Sequence, residues 1–285
     1  MFIYAADIHL TDKQPINRNT PVYPACVDKF RKILEYGKQY AAPVILGGDL
    51  FENPCPSYEL FNRVLSALGT VPVDVYAIYG NHDVQYGQIS GQNNALSALV
   101  QTGRIKLLGS EGIVIGKNVV YGVSYRKELY TDFSFLNIRD PKNAVVVTHQ
   151  FMSDKKLPFN HVEVKDFKTD VKLVLCAHLH DPFSARNASG TVFLNPGCIT
   201  RLNRNEAYID PKCVLVTGTG IKFLPLGFPK AEFNESEVKK ASFVKSVDEA
   251  KVEVQDIEQY IQESNADEKV KELALKLIKE AQDAY

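Results

Sequence analysis

The chain has 285 residues, of which 45% are hydrophobic, so it can bury a large core and suits one large α/β domain with an appendage or two smaller domains. Its net charge of −1 combines +5 for residues 1–230 with −6 for residues 231–285, and no basic run is typical of a dedicated DNA-binding arm. No apolar run reaches the roughly 18–20 residues of a membrane span, and no basic segment precedes the apolar N-terminus as in a signal peptide. The five scattered cysteines exclude a disulfide framework or a zinc ribbon, so we expect reduced thiols and a cytoplasmic location.

The first hundred residues alternate between short apolar strands and amphipathic helices. Strands are predicted at 2–6, 43–49 and 71–79 from their apolar runs. Helices are predicted at 26–40, at 57–68 with Ser57 as its N-cap, and at 94–101. This β-α-β-α-β-α order implies parallel pairing with right-handed crossovers.

The pattern then changes to short, mostly β-branched strands. We predict strands at 105–108, 113–115 and 119–123, and two buried strands at 144–148 and 172–177. Four more, predicted to be antiparallel, lie at 183–187, 191–194, 213–217 and 221–224, with glycines at the turns between them. The sequence therefore predicts an α/β fold of two mixed β-sheets packed face to face and flanked by helices.

After Pro229 the sequence becomes highly charged. We predict a principal domain at 1–230 and an acidic C-terminal appendage at 231–285, of α+β or helical structure, with one strand within 243–254. Asn265 and Glu268 form a capping box for a final helix. Its apolar stripe consists of Val270, Leu273, Ala274, Leu277, Ile278 and Ala281, and it either packs on its own domain or binds another protein.

Polar side chains that suit metal ions follow the predicted strands. Asp49 comes after a buried strand and two glycines, at the place where a parallel strand presents an acid at the edge of its sheet. Five of the six histidines also lie just past apolar runs: His9, His82, His149, His178 and His180. With Asp7, Asn81 and Asp83 nearby and no cysteine at a matching place, this set suits manganese, iron or zinc.

The spacing within two motifs indicates chelation. Asp7 and His9 are two apart on a segment predicted to be extended, so both side chains should point to one side and bind one ion. His178 and His180 share that spacing. Each motif alone is weak, but five of them in order, each at a strand end, are hard to obtain by chance.

These motifs, D-x-H, G-D, G-N-H-D, a later His and H-x-H, resemble those of the calcineurin-like metallophosphoesterases over about residues 1–200. The resemblance implies a four-layer sandwich and two divalent ions, for which we expect Mn²⁺ first and iron or zinc as alternatives. One ion would be held by Asp7, His9, Asp49 and His180, and the other by Asp49, Asn81, His149 and His178. It also implies that His82 faces the substrate phosphate and that Asp83 orients its ring. Two such ions, roughly 3.5–4 Å apart, can share a hydroxide that attacks phosphorus in line.

The residues after Asp49 narrow the resemblance to a subgroup. D-L-F-E-N-P followed by Pro56-Ser57 resembles the SbcD-type break-repair exonucleases, which are relatives of the Mre-type nucleases, and His149-Gln150 fits as well. Asn195-Pro196-Gly197 also matches, with Arg201 downstream as a candidate substrate-binding residue. A tyrosine soon after Asp49 and the signature GDYVDRG are both missing from the sequence, which argues against purple acid phosphatases and protein Ser/Thr phosphatases.

The subgroup resemblance also implies partners. These are DNA, an SMC-like ATPase subunit of the SbcC type that the C-terminal apolar stripe could bind, and a second copy of the chain through the helices near Ser57 and Asn94. We expect no membrane partner.

Three functions remain open at this point. The first is a metal-dependent DNA nuclease (exonuclease or endonuclease) acting in DNA repair, recombination or replication. The second is a stand-alone phosphodiesterase or phosphatase on a small nucleotide-like substrate, which needs a closed pocket where a nuclease needs an open basic groove. The third is an inactive scaffold of the same fold, against which the intact set of ligands and His82 argues.

Overall fold

The structure is a computed structural model that describes residues 1–84, 93–228, 230–234, 271–272 and 275–276. The chain divides into two units, Met1–Phe233 and Asn234–Tyr285. The predicted strand within 243–254 and the apolar stripe of the last helix lie outside the described residues, although the four described positions at 271–276 are helical. No helix in the described ranges has the length and apolar character to cross a membrane.

The described residues of the first unit form three α-helices and fourteen strands. The helices are α1 (Ala25–Gln39), α2 (Tyr58–Thr70) and α3 (Ala95–Gln101). The strands are β1 (Phe2–Ala5), β2 (Val44–Leu46), β3 (Val75–Ala77), β4 (Lys106–Leu107), β5 (Ile113–Ile115), β6 (Asn118–Val123), β7 (Ala144–His149), β8 (Met152–Ser153), β9 (Val162–Glu163), β10 (Leu173–Ala177), β11 (Phe183–Arg186), β12 (Val192–Asn195), β13 (Lys212–Val216) and β14 (Ile221–Pro225). Short 3-10 turns occur at Pro141–Asn143, Val164–Asp166 and Arg204–Glu206.

The first six-stranded sheet has the order β14-β13-β1-β2-β3-β4. Strands β1 to β4 are parallel and are connected through α1, α2 and α3, as the alternating pattern predicted. The predicted N-cap is confirmed, because the Ser57 side chain accepts a hydrogen bond from the Leu60 N–H. The predicted strand at 71–79 shortens to β3, because Val71 caps the end of α2 and Pro72 has no N–H to donate.

The second six-stranded sheet has the order β11-β12-β10-β7-β6-β5. Its four central strands, β12, β10, β7 and β6, are parallel, and the two edge strands are antiparallel to their neighbours. The prediction that residues 191–194 form a wholly antiparallel strand was therefore wrong on one side, because β12 pairs parallel with β10. The small β8–β9 pair was not predicted, since each strand has only two residues.

The two sheets pack face to face, and alternation along each strand sorts the core into layers. Phe2 and Tyr4 of β1 face the second sheet and pack in one cluster with Val145 and Leu175. Ile3 faces the other way, into a cluster that includes residues of all three helices. The outer face of the second sheet is covered by loop and 3-10 segments. The predicted α/β fold of two mixed sheets is confirmed, with α1, α2 and α3 all on the first sheet.

One buried hydrogen bond connects the sheets directly. The Tyr4 hydroxyl donates to the carbonyl oxygen of Cys176 at 2.8 Å, and both residues are fully buried. Burial is also the main reason that the pKa of Tyr4 lies well above its usual range, so this hydroxyl keeps its proton and remains a donor.

We expect Tyr4→Phe to lower the free energy of unfolding by about 1–2 kcal/mol, because a buried carbonyl loses a donor that water cannot replace. Urea denaturation measures this change. Tyr36→Phe is the matched control, since the Tyr36 hydroxyl donates to the Pro225 carbonyl at the surface, where water can take its place. Equal losses in the two variants would contradict the inter-sheet role of Tyr4.

Candidate metal centre

All seven predicted metal ligands lie at the carboxyl ends of parallel strands or shortly after them. Asp7 and His9 follow β1, Asp49 follows β2, and Asn81 follows β3. In the second sheet, β7 ends in His149, and β10 is followed by His178 and His180. Because the two sheets face each other, these strand ends converge at one place.

Four of these residues have an unusual backbone conformation. Asp7, His9, Asp49 and His178 have φ values of 49°, 50°, 51° and 79°, a left-handed region that non-glycine residues rarely adopt. The prediction that Asp7 and His9 lie on an extended segment was therefore wrong, since β1 ends at Ala5 and the chain turns. The turn is held by backbone hydrogen bonds to neighbouring loops, such as His9 N–H to the Asp49 carbonyl at 3.0 Å. Backbone strain of this kind is typical of functional sites.

The first group of ligand atoms comes from Asp7, His9 and His180. The Nε2 atoms of His9 and His180 lie 2.9 Å apart. The Nδ1 atoms face carboxylates, with His9 2.8 Å from Glu52 Oε2 and His180 2.7 Å from Glu206 Oε1. When each Nδ1 carries the proton, two Nε2 lone pairs point at each other, an arrangement that a cation between them stabilises.

The second group comes from Asp49, His149 and His178. His149 Nδ1 donates to the Gly47 carbonyl at 2.8 Å, which leaves Nε2 facing Asn81 Oδ1 at 3.0 Å and Asp49 Oδ2 at 3.3 Å. Burial lowers the pKa of His149, but the carboxylates of Asp49 and Asp7 outweigh it and raise that pKa to about 9, so Nε2 carries a proton toward these oxygens that a bound cation would replace. Burial and the neighbouring His149 hold the pKa of His178 well below its usual range, so this ring is neutral and able to bind metal.

Asp49 belongs to the second group and also lies close to His9 of the first. Its Oδ2 is 3.3 Å from His149 Nε2 and 3.7 Å from His9 Nε2, while Oδ1 accepts a hydrogen bond from the His82 N–H at 2.8 Å. Burial raises the pKa of Asp49, but the imidazoles of His149 and His9 outweigh it and hold that pKa well below its usual range. The side chain is therefore an ionised carboxylate that faces both groups at once.

Glycine at position 80 makes room for this carboxylate. A Cβ atom at Gly80 would lie 2.0 Å from Asp49 Oδ1, so no other residue fits there without moving Asp49. The G-N-H-D motif thus needs its glycine for close approach rather than for an unusual φ.

His82 lies at the open rim of the site, with its side chain 26% exposed. Its Nδ1 is 2.9 Å from the Glu52 carbonyl oxygen and 3.5 Å from Glu52 Oε2. Burial lowers the pKa of His82, but the carboxylates of Asp49 and Glu52 raise it more, so the pKa ends above its usual value. The ring is suited to carry a positive charge beside a phosphate.

The predicted role of Asp83 needs correction. Its carboxylate accepts hydrogen bonds from the backbone N–H groups of Leu50 and Gly80 at 3.1 and 2.9 Å, so it fastens the loops after β2 and β3 to each other. The His82 ring is oriented instead by the carbonyl oxygen of Glu52, a residue to which the sequence analysis assigned no role. The position of Glu52, three residues after Asp49, was the feature of the sequence that could have indicated a role beside the site.

Glu206 was also missed by the sequence analysis. It lies in the Arg204–Glu206 turn and accepts hydrogen bonds from the Asn203 N–H at 2.9 Å, the Asn203 side-chain amide at 2.8 Å and His180 Nδ1 at 2.7 Å. His180 and Asn203 outweigh the effect of burial and lower the pKa of Glu206 to about 2, so it is ionised. The N-x-x-E spacing of a capping box was the signal that could have found it.

Arg201 is not placed to bind substrate, contrary to its prediction. Its side chain is 2% exposed and donates to the Ile209 carbonyl at 3.2 Å. Two other buried bases, Lys29 and Arg18, donate to the carbonyls of Ile199 and Thr200 at 2.8 and 2.6 Å. Together they hold the segment that carries Glu206.

Comparison with known proteins agrees with this geometry. Residues 2–182 match the family model of the calcineurin-like phosphoesterases. The chain belongs to that family. Calcineurin-like phosphoesterases use two divalent metal ions, and the donor groups described above fit such a pair.

Two curated relatives are similar to parts of this calcineurin-like phosphoesterase. One is the DNA double-strand break repair protein Mre11 of Methanococcus maripaludis, 25% identical over 200 residues that cover 63% of this chain and 51% of the relative. Another is the UDP-2,3-diacylglucosamine hydrolase of Blochmanniella pennsylvanica, 28% identical over 119 residues that cover 40% of this chain and 44% of the relative. The chain thus spans about half the length of the curated relatives it matches.

We expect Glu206→Gln to weaken binding of one Mn²⁺ ion by about 10–100-fold, because His180 loses its charged partner and the new amide N–H₂ opposes the donors of Asn203. Calorimetric titration of the metal-free protein with Mn²⁺ measures both affinities. Glu59→Gln is the control, since Glu59 is an exposed carboxylate paired with Arg63. Two ions bound with the affinities of the unmodified protein would show that Glu206 does not position His180.

Proposed function

We propose that this chain is a dinuclear metal-dependent DNA nuclease of the SbcD type that acts in DNA repair, recombination or replication. The observation that carries the chemical part is the Asp49 carboxylate between two groups of imidazole nitrogens, with His82 at the open rim. The similarity to a protein named for DNA double-strand break repair supports the choice of substrate.

The proposal divides the ligands between two ions, and the close groups Asp7–His9–His180 and Asp49–His149–His178 support that division. Asp7, His9, Asp49 and His180 would hold one ion, and the other would be held by Asp49, Asn81, His149 and His178. When bound, two divalent ions supply an activated water molecule and neutralise charge on the phosphoryl oxygens. Nitrogen and carboxylate donors favour Mn²⁺ as the proposed metal, with iron or zinc as alternatives.

The surrounding residues fix the direction of each ligand before substrate arrives. Glu206 and the Gly47 carbonyl accept hydrogen bonds from the Nδ1 atoms of His180 and His149, and the Glu52 carboxylate lies 2.8 Å from His9 Nδ1, so each Nε2 is turned toward the site without reorganisation. Ligands that are already oriented need no reorganisation in the transition state, and this preorganisation is usually the largest contribution to electrostatic catalysis.

His82 is the proposed proton donor. Its Nδ1–H is committed to the Glu52 carbonyl, so the proton that can move in the reaction is the one on Nε2. The raised pKa of His82, caused by the carboxylates of Asp49 and Glu52, favours the charged ring that can stabilise or protonate the leaving oxygen. Asp83 supports the reaction only by holding the loops on which Asp49 and His82 lie.

The proposal extends to partners and location. An SMC-like ATPase of the SbcC type would join through the C-terminal helix, and a second copy of the chain through the helices near Ser57 and Asn94. The +5 charge of residues 1–230 favours a polyanionic substrate, and the −6 charge of the remaining residues favours a different partner. The five scattered cysteines, none in a C-x-x-C motif, favour the reducing cytoplasm.

An alternative is a stand-alone phosphodiesterase or phosphatase that acts on a small nucleotide-like molecule. The similarity to a protein named as a UDP-2,3-diacylglucosamine hydrolase favours it. Both functions share the metal chemistry and differ only in the substrate that reaches the site, so the test must compare substrates.

The test is one assay with Mn²⁺ on linear duplex DNA, single-stranded DNA and bis-p-nitrophenyl phosphate. We expect the protein to cleave the ester and at least one DNA, and we expect His82→Ala to slow both by about 10²–10⁴-fold while two Mn²⁺ ions stay bound. The variant also controls for a contaminating nuclease, whose activity it would leave unchanged.

Two results would count against the proposal. Hydrolysis of the ester without cleavage of either DNA, also when the protein is co-purified with an SMC-like ATPase, would exclude the nuclease. Loss of metal in parallel with activity in His82→Ala would make His82 a ligand instead of a proton donor.

A further inference from the structure

Aromatic rings lead from the second group of ligands out to the surface. The ring of Phe151 meets the His178 ring edge-to-face at 4.9 Å, and the ring of Phe159 meets Phe151 in the same way at 5.0 Å. On another side, Tyr125 lies 5.8 Å from His178 and 6.3 Å from His149. We call Tyr125, Phe151 and Phe159 the aromatic wall.

The aromatic wall is not part of the buried core. Its three residues belong to none of the buried clusters, which include instead Tyr121, Val123 and Phe167 from the same region of the second sheet. Tyr125 and Phe151 are half-buried, and Phe159 is 50% exposed. Flat apolar rings are therefore presented to solvent next to the proposed metal ligands, where a substrate must bind.

The loop that carries Phe159 is ordered by its own hydrogen bonds. The Val162 N–H donates to the Phe151 carbonyl at 2.9 Å, where β8 and β9 begin to pair. His161 Nδ1 donates to the Phe159 carbonyl at 2.7 Å, and His161 Nε2 accepts from the Leu157 N–H at 3.2 Å. These bonds set the position of the ring before substrate arrives.

The charge beside the aromatic wall favours a phosphate-bearing ligand. Residues 125–128 and 150–161 carry four basic and two acidic side chains. Arg126, next to Tyr125, has its guanidinium 4.2 Å from the centre of the exposed Phe135 ring, and Lys155 is 63% exposed, with its ammonium 3.8 Å from the exposed Asp181 carboxylate. Rings flanked by basic groups are the combination that binds nucleotides in single-stranded nucleic acid.

We propose that the aromatic wall stacks the nucleobase of the nucleotide that adjoins the phosphate at the metal centre. This inference rests on the proposed function and deepens it, since it names an unstacked base as part of the substrate. In duplex DNA each base is stacked on its neighbours, so the wall favours single strands and frayed ends over a fully paired end. A small nucleotide offers the same base, and the test separates the two sources.

The experiment compares two phosphodiesters that release the same p-nitrophenolate. Thymidine 5′-(p-nitrophenyl phosphate) carries a base, and methyl p-nitrophenyl phosphate does not. We expect the Mn²⁺-loaded protein to have the higher kcat/KM for the thymidine ester, and Phe159→Ala to lower the ratio of the two kcat/KM values about five- to tenfold. Phe159→Trp should keep the ratio, and Phe223→Ala is a matched control because Phe223 is 48% exposed on β14 of the other sheet.

Each outcome separates this inference from the nuclease proposal. Cleavage of DNA with an ester ratio unchanged in Phe159→Ala would overturn the aromatic wall and leave the nuclease standing. A lowered ratio without cleavage of DNA would support the wall but assign it to a small nucleotide. Calorimetric titration repeats the test without turnover by comparing the affinity for thymidine 5′-monophosphate with the affinity for inorganic phosphate. If Phe159→Ala and the unmodified protein bound thymidine 5′-monophosphate equally well, that result would also overturn the aromatic wall.

Discussion

The arrangement of the centre depends on one buried carboxylate that faces nitrogen donors on two sides. Asp49 Oδ2 is 3.3 Å from an imidazole of the second sheet and 3.7 Å from an imidazole of the first. A buried carboxylate is costly unless cations or hydrogen bonds compensate for it. The surrounding imidazoles keep the pKa of Asp49 low, and two bound divalent ions would compensate for the charge further.

The rest of the fold holds this carboxylate and its partners in place. The two sheets bring the ends of their parallel strands together. At four of the ligands the backbone then turns in a left-handed conformation, which sets the direction of the side chain. Behind the ligands, Glu52 and Glu206 hold ring nitrogens, while Asp83 fastens the loops after β2 and β3. Three buried bases in turn hold the segment of Glu206. The buried bases thus position the segment of Glu206, and the acidic residues position the ligands, so the site is formed before substrate binds.

Sequence reasoning predicted the sheets and the candidate ligands because both depend on local patterns: apolar runs give strands, and polar residues just past them give the site. It failed where contacts are distant in sequence. Glu206 meets His180 from 26 residues away, and burial of Arg201 depends on the whole core. It also gave Asp83 a role that belongs to Glu52, since two acids near one histidine are not distinguished by spacing alone. The left-handed conformation of Asp7 was missed because aspartate tolerates that conformation better than most residues but does not require it, so the residue type alone does not predict it.

The most direct test of the central claim is the number of Mn²⁺ ions bound by Asp49→Asn, which keeps the shape of the side chain and removes its charge. Elemental analysis after dialysis against Mn²⁺ gives the count, electron paramagnetic resonance tells coupled pairs from single ions, and circular dichroism checks the fold. If Asp49 bridges both ions, the unmodified protein retains two coupled ions and the variant loses both. Retention of two ions by a folded Asp49→Asn would contradict the bridging carboxylate and the account built on it.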